Sequence, residues 1–314
     1  MNDSVSHEAH SPEQGGYHVP VLLNETLEGL NIQPDGVYVD CTFGGGGHSR
    51  GILSRLSANG KLIAFDQDDD AKRNLPDDPR VIFIPHNFVH LQRFLRLYKI
   101  SEVDGILADL GVSSHQFDAA ERGFSIRFDA PLDMRMDQRE SITAADVLET
   151  YSEEKLHKMF EMYGEVTNAR TLARKIVQVR RLTPLKTIFQ FRNAIQDIVK
   201  GNPNKYFAQV FQALRIEVNK ELDALKEMLV QIPGVLKSGG RVAIITFHSL
   251  EDRIVKQFFK NGSFEDQDLN PFVQKEKKAK LFRPVYKKPV TASPEELKSN
   301  PRSRSAKLRV VEKI

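Results

Sequence analysis

Four consecutive glycines, Gly44 to Gly47, follow an apolar run and a carboxylate in the segment Asp40–His48, DCTFGGGGH. Glycines let a backbone approach a ligand closely and adopt positive φ. In open α/β sheets, ligands bind beyond the carboxyl ends of the strands, which is where this loop falls. The loop alone fits several nucleotide-like ligands, so its neighbours must decide. A dinucleotide fingerprint needs G-x-G-x-x-G/A, but counting from Gly44 or Gly45 the last position is Ser49 or Arg50. A P-loop needs Gly-Lys-Ser/Thr, whereas Gly51 is followed by Ile52 and Leu53. Asp66 closes the second expected strand. A carboxylate there can accept both hydroxyls of a ribose or cap the helical turn that starts near Asp68. Ribose recognition without a pyrophosphate motif fits S-adenosyl-L-methionine. Asp109 closes the fourth expected strand, where reacting groups meet in such an architecture.

These residues need elements to hold them. Val19 to Leu30 carries apolar residues at helical spacing and predicts an amphipathic entry helix. Val37–Val39, Lys61–Phe65, Arg80–Ile84 and Asp104–Ala108 read as strands, with helices expected at His48–Leu56 and around His90–Tyr98. This alternation predicts a parallel sheet with helices on both faces. It stops between about Gly111 and Gly201, where Ala144–Leu156, Thr167–Arg180 and Leu185–Val199 read as helices of an inserted domain. Phe211, Leu214, Val218, Leu222, Leu225 and Leu229 then predict one long helix packed on the sheet. Val242–Thr246 is a fifth strand leading into Phe247-His248-Ser249, with the helix Leu250–Phe259 after it. Lys307–Glu312 reads as a final, edge-type strand. The expected division is a disordered tail over 1–17, a first sheet portion over 18–112, an inserted helical substrate-recognition domain over 113–206, and a second sheet portion with a basic C-terminal region over 207–314.

Composition narrows the classes. No apolar run approaches the roughly 20 residues of a membrane span, and the polar first sixteen residues have no signal-peptide pattern. The single cysteine, Cys41, permits neither an internal disulfide nor a cysteine-rich zinc site and fits a reducing cytoplasm. The net charge of +3 is uneven: residues 271–314 hold 13 Lys/Arg against 4 Asp/Glu, which leaves −6 for the rest. A basic region on a mildly acidic body suits an anionic partner such as nucleic acid, and equally a solvated surface.

The segments HVPVLLNE (18–25), DCTFGGGGHS (40–49), ADLGVSS (108–114), ERGFS (121–125), PLDMRMD (131–137), FQALRIEVNKEL (211–222), ITFHSLEDR (245–253) and NPRSRSAKLR (300–309) together closely resemble the RsmH (MraW) family of bacterial small-subunit ribosomal RNA cytosine-N4 methyltransferases. The resemblance runs from His18 to the C-terminus. It implies an α/β, class I (Rossmann-like) methyltransferase sheet interrupted by an all-helical domain. It further implies S-adenosylmethionine contacts at Gly46, Gly47, His48, Asp66, Phe88, Asp109 and Gln116. The implied substrate is a cytidine in the decoding centre of the small subunit, with the assembled subunit as the expected partner and naked RNA left open. Two positions depart from the commoner pattern: Gln209 stands where many members carry a basic residue, and Ala130 where glycine is frequent.

Methyl transfer from a sulfonium is an in-line displacement that needs no metal, and no metal-ligand spacing is visible. The cytosine amine is a poor nucleophile because its lone pair is delocalised into the ring. An acceptor aimed at the amine protons can reorient it and stabilise developing charge. DNA amino-methyltransferases use an Asp/Asn-Pro-Pro-aromatic motif, but here the chain reads Asp109-Leu110-Gly111-Val112. Asp109 and His248 are the expected polar groups near the amine, with Asp133, Arg135 and Asp137 as a network shaping the pocket. Arg170, Arg174, Lys175, Arg180 and Arg181 of the insertion, and Lys275, Lys277, Lys278, Lys280, Arg302 and Arg304 of the tail region, are candidate phosphate contacts. The rival readings are a methyltransferase for DNA or protein, a nicotinamide oxidoreductase, and a non-catalytic RNA-binding ribosome assembly factor on the same fold. The sequence leaves a homodimer open.

Overall fold

The computed structural model describes residues 20–264 and 280–314. The expected tail over 1–17, and with it Lys275, Lys277 and Lys278, lies outside these described residues. Five strands run parallel: β1 (Val37–Asp40), β2 (Lys61–Phe65), β3 (Val81–Ile84), β4 (Val103–Asp109) and β5 (Leu236–Thr246). Two more, β6 (Phe282–Pro284) and β7 (Lys307–Lys313), complete a seven-stranded sheet in the order β3-β2-β1-β4-β5-β7-β6. β7 is antiparallel to both neighbours, so it is an interior strand rather than the expected edge. The three-residue β6 that covers it is too short to carry an alternating pattern of its own.

Strand residues alternate between the two faces, as the two-residue period requires. On β4, Ile106 and Ala108 join the cluster of Val39, Ile63, Val242 and Ile244, while Leu107 joins Tyr38, Leu62, Ala243 and Ile245 on the other face. The first face is covered by α3 (Leu91–Leu97), α10 (Glu221–Val235) and α11 (Ser249–Asn261), and the second by α1 (Leu23–Leu30) and α2 (Gly47–Leu53). The register pairs Asp40 with Ala64 and Leu107, so the chain leaves β1, β2 and β4 at the same edge of the sheet.

Between β4 and α10 stand α4 (Ser114–Asp118), α5 (Ala144–Thr150), α6 (Glu153–Gly164), α7 (Ala169–Val179), α8 (Ile188–Ile195) and α9 (Pro203–Asn219). Ser152 caps α6 by accepting from the Lys155 N–H, which splits the expected helix Ala144–Leu156 in two. The expected single helix through Phe211 and Leu229 is likewise two: Lys220 takes a left-handed conformation, φ 50°, between α9 and α10. The break assigns the two halves to different cores. Tyr206, Phe207, Val210, Phe211 and Leu214 of α9 join the helical cluster with Leu156, Phe160, Leu172, Ile176 and Phe191, whereas Leu225, Met228 and Leu229 of α10 pack on the sheet. A boundary at 206/207 therefore falls within α9.

Candidate functional site

The exit from β1 is anchored before it becomes a loop. Asp40 is buried, and its carboxylate accepts from Ser49 Oγ at 2.7 Å and from the Thr42 N–H at 3.0 Å. The glycines then take conformations that other residues resist: Gly44 has φ 50° and Gly46 has φ 73°. Gly46 is also the N-cap of α2. At Gly47 the constraint is contact, since a Cβ there would lie 2.1 Å from Cγ of Pro20. The loop bounds a cleft of about 590 Å³ at the carboxyl edge of the sheet.

Gly47, His48, Asp66, Phe88, Asp109 and Gln116 all line this cleft; Gly46 shapes the loop from behind the lining. Asp66 accepts from the Gly44 N–H at 2.7 Å through one oxygen and from the Asp68 N–H at 2.8 Å through the other. Each carboxylate oxygen can accept two bonds, so one acceptor position per oxygen remains for a ligand hydroxyl. The cap of the following turn is Asp68, which accepts from the Asp70 N–H, rather than Asp66.

Burial pushes the Asp66 carboxyl up from 3.8 to about 7, against the pull of the Asp68 and Gly44 N–H groups. Held above its ordinary value, this group favours the folded apoprotein below the unfolded-chain value and loses that contribution as pH rises through about 7. Ligand binding to the carboxylate has the opposite dependence. S-adenosylmethionine affinity measured by calorimetry is expected to rise about tenfold from mildly acidic to mildly alkaline pH, following the ionised fraction. The slope shrinks in Asp66→Asn. A flat profile in the parent protein would separate Asp66 from ligand binding.

Asp109 sits at the end of β4 with its side chain 25% exposed to the cleft. Its N–H donates to Thr42 Oγ1 at 2.7 Å, which ties β4 to the glycine loop. Oδ2 is 3.6 Å from His48 Nδ1, and Oδ1 has no hydrogen-bond partner among the described residues. Burial, with the negative fields of Asp40 and Glu251, pushes this carboxyl well up. His48 Nε2 lies 3.0 Å from the Val21 carbonyl, which can only accept, so Nε2 carries the proton and Nδ1 faces Asp109 as an acceptor. Burial lowers His48 to about 4, which keeps its ring neutral at physiological pH.

Gln116 is placed by a capping box: Ser113 accepts the Gln116 N–H, and the Gln116 side chain accepts the Ser113 N–H. Its amide also donates to Asp68 Oδ2 at 2.8 Å. The same Asp68 oxygen accepts from Arg122 at 2.8 Å, and Arg122 donates to the carbonyls of Arg135 and Met136, each at 3.0 Å. Arg122 and Asp68 are both buried, so one ion pair fastens the PLDMRMD loop to the exit of β2. That loop does not form the expected single network. Asp133 pairs with Arg135 and Asp137 with Arg139, as separate bonds between residues two apart, and Met136 is the loop residue that lines the cleft.

His248 is outside the cleft lining. As the N-cap of α11 it accepts the Glu251 N–H through Nδ1 at 3.4 Å, while Nε2 lies 3.1 Å from Glu251 Oε1. Phe247 and the buried Glu251 line the cleft in its place. Burial raises the Glu251 carboxyl, but His248 and the Arg215 charge outweigh it and hold it below its ordinary value. Glu221, His248 and Glu251 bring donor atoms within 4.8 Å of one another. A cation there would compete with Arg215, which already holds both Glu221 oxygens, at 2.8 and 2.9 Å.

The candidate phosphate contacts divide. Arg180 donates to the carbonyls of Leu148 and Tyr151, Lys175 pairs with Asp197 and Arg174 with Glu153, so these hold the insertion together. Arg302 lines the cleft and pairs with Asp118 at 2.6 Å. Gln209 donates to the Glu165 carbonyl at 3.2 Å, a role internal to the helices. Asp40, Thr42, Arg122 and Glu251 carry no individual mark in the sequence. All four lie inside the DCTFGGGGHS, ERGFS and ITFHSLEDR segments, which is the signal that marks them.

The family model described as "MraW methylase family" matches residues 16–314. The chain is 53% identical over 302 residues to a protein of Bacteroides fragilis named "Ribosomal RNA small subunit methyltransferase H", covering 96% of this chain and 99% of that one. A protein of the same name from Flavobacterium johnsoniae is 52% identical over 302 residues, covering 95% and 98%. Among solved structures, a putative rRNA methylase from Clostridium thermocellum aligns over 95% of this chain and all of its own, with 13% identity and a TM-score of 0.44.

Proposed function

The chain belongs to the MraW methylase family, and from that premise we propose that it methylates N4 of a cytidine in the decoding centre of small-subunit ribosomal RNA. Its methyl donor is S-adenosylmethionine. The observation that carries the reading is the partly exposed carboxyl of Asp109 at the end of β4, which shares one cleft with the glycine loop and Asp66. The donor set fits that cofactor. Asp66 has acceptors to offer a ribose, the Gly44–Gly47 backbone admits close approach, and the carboxylates of Asp66, Asp109, Glu221 and Glu251 suit a cationic sulfur.

When bound, S-adenosylmethionine supplies an electrophilic methyl group on a positively charged sulfur. The protein's part is to aim and prepare the amine. Asp109 accepts a hydrogen bond from the cytosine N4–H at its partly exposed carboxyl group, which turns the nitrogen lone pair out of conjugation. Beside a positive sulfur this raised carboxyl would ionise, and as a carboxylate it stabilises the positive charge that grows on N4 and takes the amine proton. Neutral His48 lies 3.6 Å from Oδ2 and bounds that side of the carboxyl group. His248 acts at one remove, by holding Glu251 at the cleft wall. Phe88 and Gln116 bound the cofactor side, and Gly46 and Gly47 set the loop.

Chemistry on a base requires that base to be out of its stack, and the assembled small subunit is the substrate that presents it so. The site of action is the cytoplasm; among the described residues no helix is long and apolar enough to cross a membrane. The test is transfer of labelled methyl from S-adenosylmethionine to small subunits from cells lacking this gene. Incorporation is expected there and not in subunits from cells that retain it. Equal labelling of both would overturn the proposed target.

A further inference from the structure

Among the described aromatic residues, Phe128 and Phe189 are exposed to solvent, by 55% and 37%. Short bonds bring their two segments together. The Leu132 N–H donates to the Lys186 carbonyl at 2.9 Å, Pro131 bridges Thr187 in antiparallel sense, and the Ile188 N–H donates to the Ala130 carbonyl at 3.0 Å. The Phe189 N–H donates to Asp129 Oδ1 at 3.0 Å, which brings Phe189 up to the residue that follows Phe128. Arg192 stiffens the arrangement: it donates to the Ile126 carbonyl at 2.8 Å and places its guanidinium 5.5 Å from the centre of the Phe189 ring.

The charge around the rings is one-sided. Segments 126–131 and 180–192 carry Arg127, Arg180, Arg181, Lys186 and Arg192 against a single acid, Asp129. Arg127, Arg181 and Lys186 are exposed, and their side chains make no ion pair among the described residues. Unpaired cations around two exposed rings are the composition of a single-stranded nucleic acid platform, where bases stack and phosphates meet charge. The same covalent loop continues from Phe128 through the left-handed Met134, φ 64°, to Met136 at the cleft wall.

We propose that Phe128 and Phe189, with Arg127, Arg181 and Lys186, form a docking platform for single-stranded RNA flanking the target cytidine. This rests on the RNA substrate reading above and adds where the strand is held outside the cleft. Rings bind bases with little regard to sequence, so the platform supplies affinity and register while the cleft supplies base choice.

The test uses the full chain and a fluorescent, unstructured pyrimidine RNA of about twelve nucleotides, within the usual site size of such surfaces. Anisotropy is expected to give about tenfold weaker binding for Phe128→Ala and for Phe189→Ala. Lys186→Ala is expected to lower the magnitude of the salt slope by about 0.7. S-adenosylmethionine affinity by calorimetry stays at the parent value in all three, which checks folding independently of RNA. Unchanged RNA affinity in both ring variants would overturn the platform while leaving the RNA reading intact. Unchanged RNA affinity with impaired methylation of assembled subunits would also overturn it and assign the face to a protein partner. A parent protein that binds cofactor but no RNA would overturn both readings.

Discussion

Replacing Asp109 by alanine is expected to lower kcat by about a thousandfold and to leave the protein as stable as its parent. The size follows from the two roles proposed for Asp109, acceptor that orients the amine and base that takes its proton, each worth about a hundredfold or more alone and not additive. Stability is spared because the carboxyl is held well above its ordinary range by burial, with Oδ1 unpartnered. Removing a desolvated group with an unmet hydrogen-bonding need costs the fold little. Asp109→Asn separates the two roles: its amide oxygen still accepts from N4–H but cannot take a proton, so about a hundredfold of the loss remains. Single-turnover rates and cofactor calorimetry together make the check, since kcat is expected to fall far more than cofactor affinity. A variant with parental turnover would remove Asp109 from the reaction.

Arg122→Ala is expected to be the most destabilising single change in the neighbourhood of the cleft, by about 3–5 kcal/mol. The guanidinium is buried and meets Asp68 at 2.8 Å, Asp70 at 3.1 Å and the carbonyls of Arg135 and Met136. Truncation leaves Asp68 as a buried charge stripped of its partner and two carbonyls without a donor, which costs more than the pair itself contributes. The loop carrying Met136 then loses its tie to β2, so the loss of stability comes with weaker RNA turnover. Urea unfolding measures the first part. Arg122→Lys restores the charge but not the fork that reaches two carbonyls at once, and recovers part of the loss. A midpoint unchanged in Arg122→Ala would mean the pair is not holding the loop.

The two changes differ in how legible their residues are in the chain. Asp109 can be picked out because a carboxylate closing an apolar strand in an alternating pattern has a position in space before any coordinate is known. The same logic places Lys61–Phe65 and Asp66, and the observed strand has those bounds. Arg122 carries no such mark. Its partners Asp68, Arg135 and Met136 lie up to 54 positions away, and nothing in the residue types says that an arginine is buried. His248 errs in the opposite direction. A histidine after a strand reads as chemistry, but its bond to the Glu251 N–H makes it a helix cap, and the cleft receives Phe247 and Glu251.

The helix boundaries have a comparable explanation. The apolar spacing from Phe211 to Leu229 continues without a glycine or proline, so periodicity runs straight through the break at Lys220. What stops α9 is tertiary: the Asn219 amide donates to the Met134 carbonyl at 2.8 Å and its oxygen accepts the Met136 N–H at 2.7 Å. That residue ties the PLDMRMD loop to the helix end and lines the cleft itself. The turn that periodicity hides is thus part of the site.

Nucleoside mass spectrometry of small-subunit RNA after reaction with the purified protein and S-adenosylmethionine tests the central claim most directly. With subunits from cells lacking the gene, the account predicts one new N4-methylcytidine, located in a decoding-centre fragment and absent with Asp109→Ala. A methyl group on another cytosine atom, or on another base, would contradict the assignment of Asp109 to an exocyclic amine. No methylated nucleoside despite measured cofactor binding would contradict catalysis on RNA and favour an assembly factor that has kept the fold.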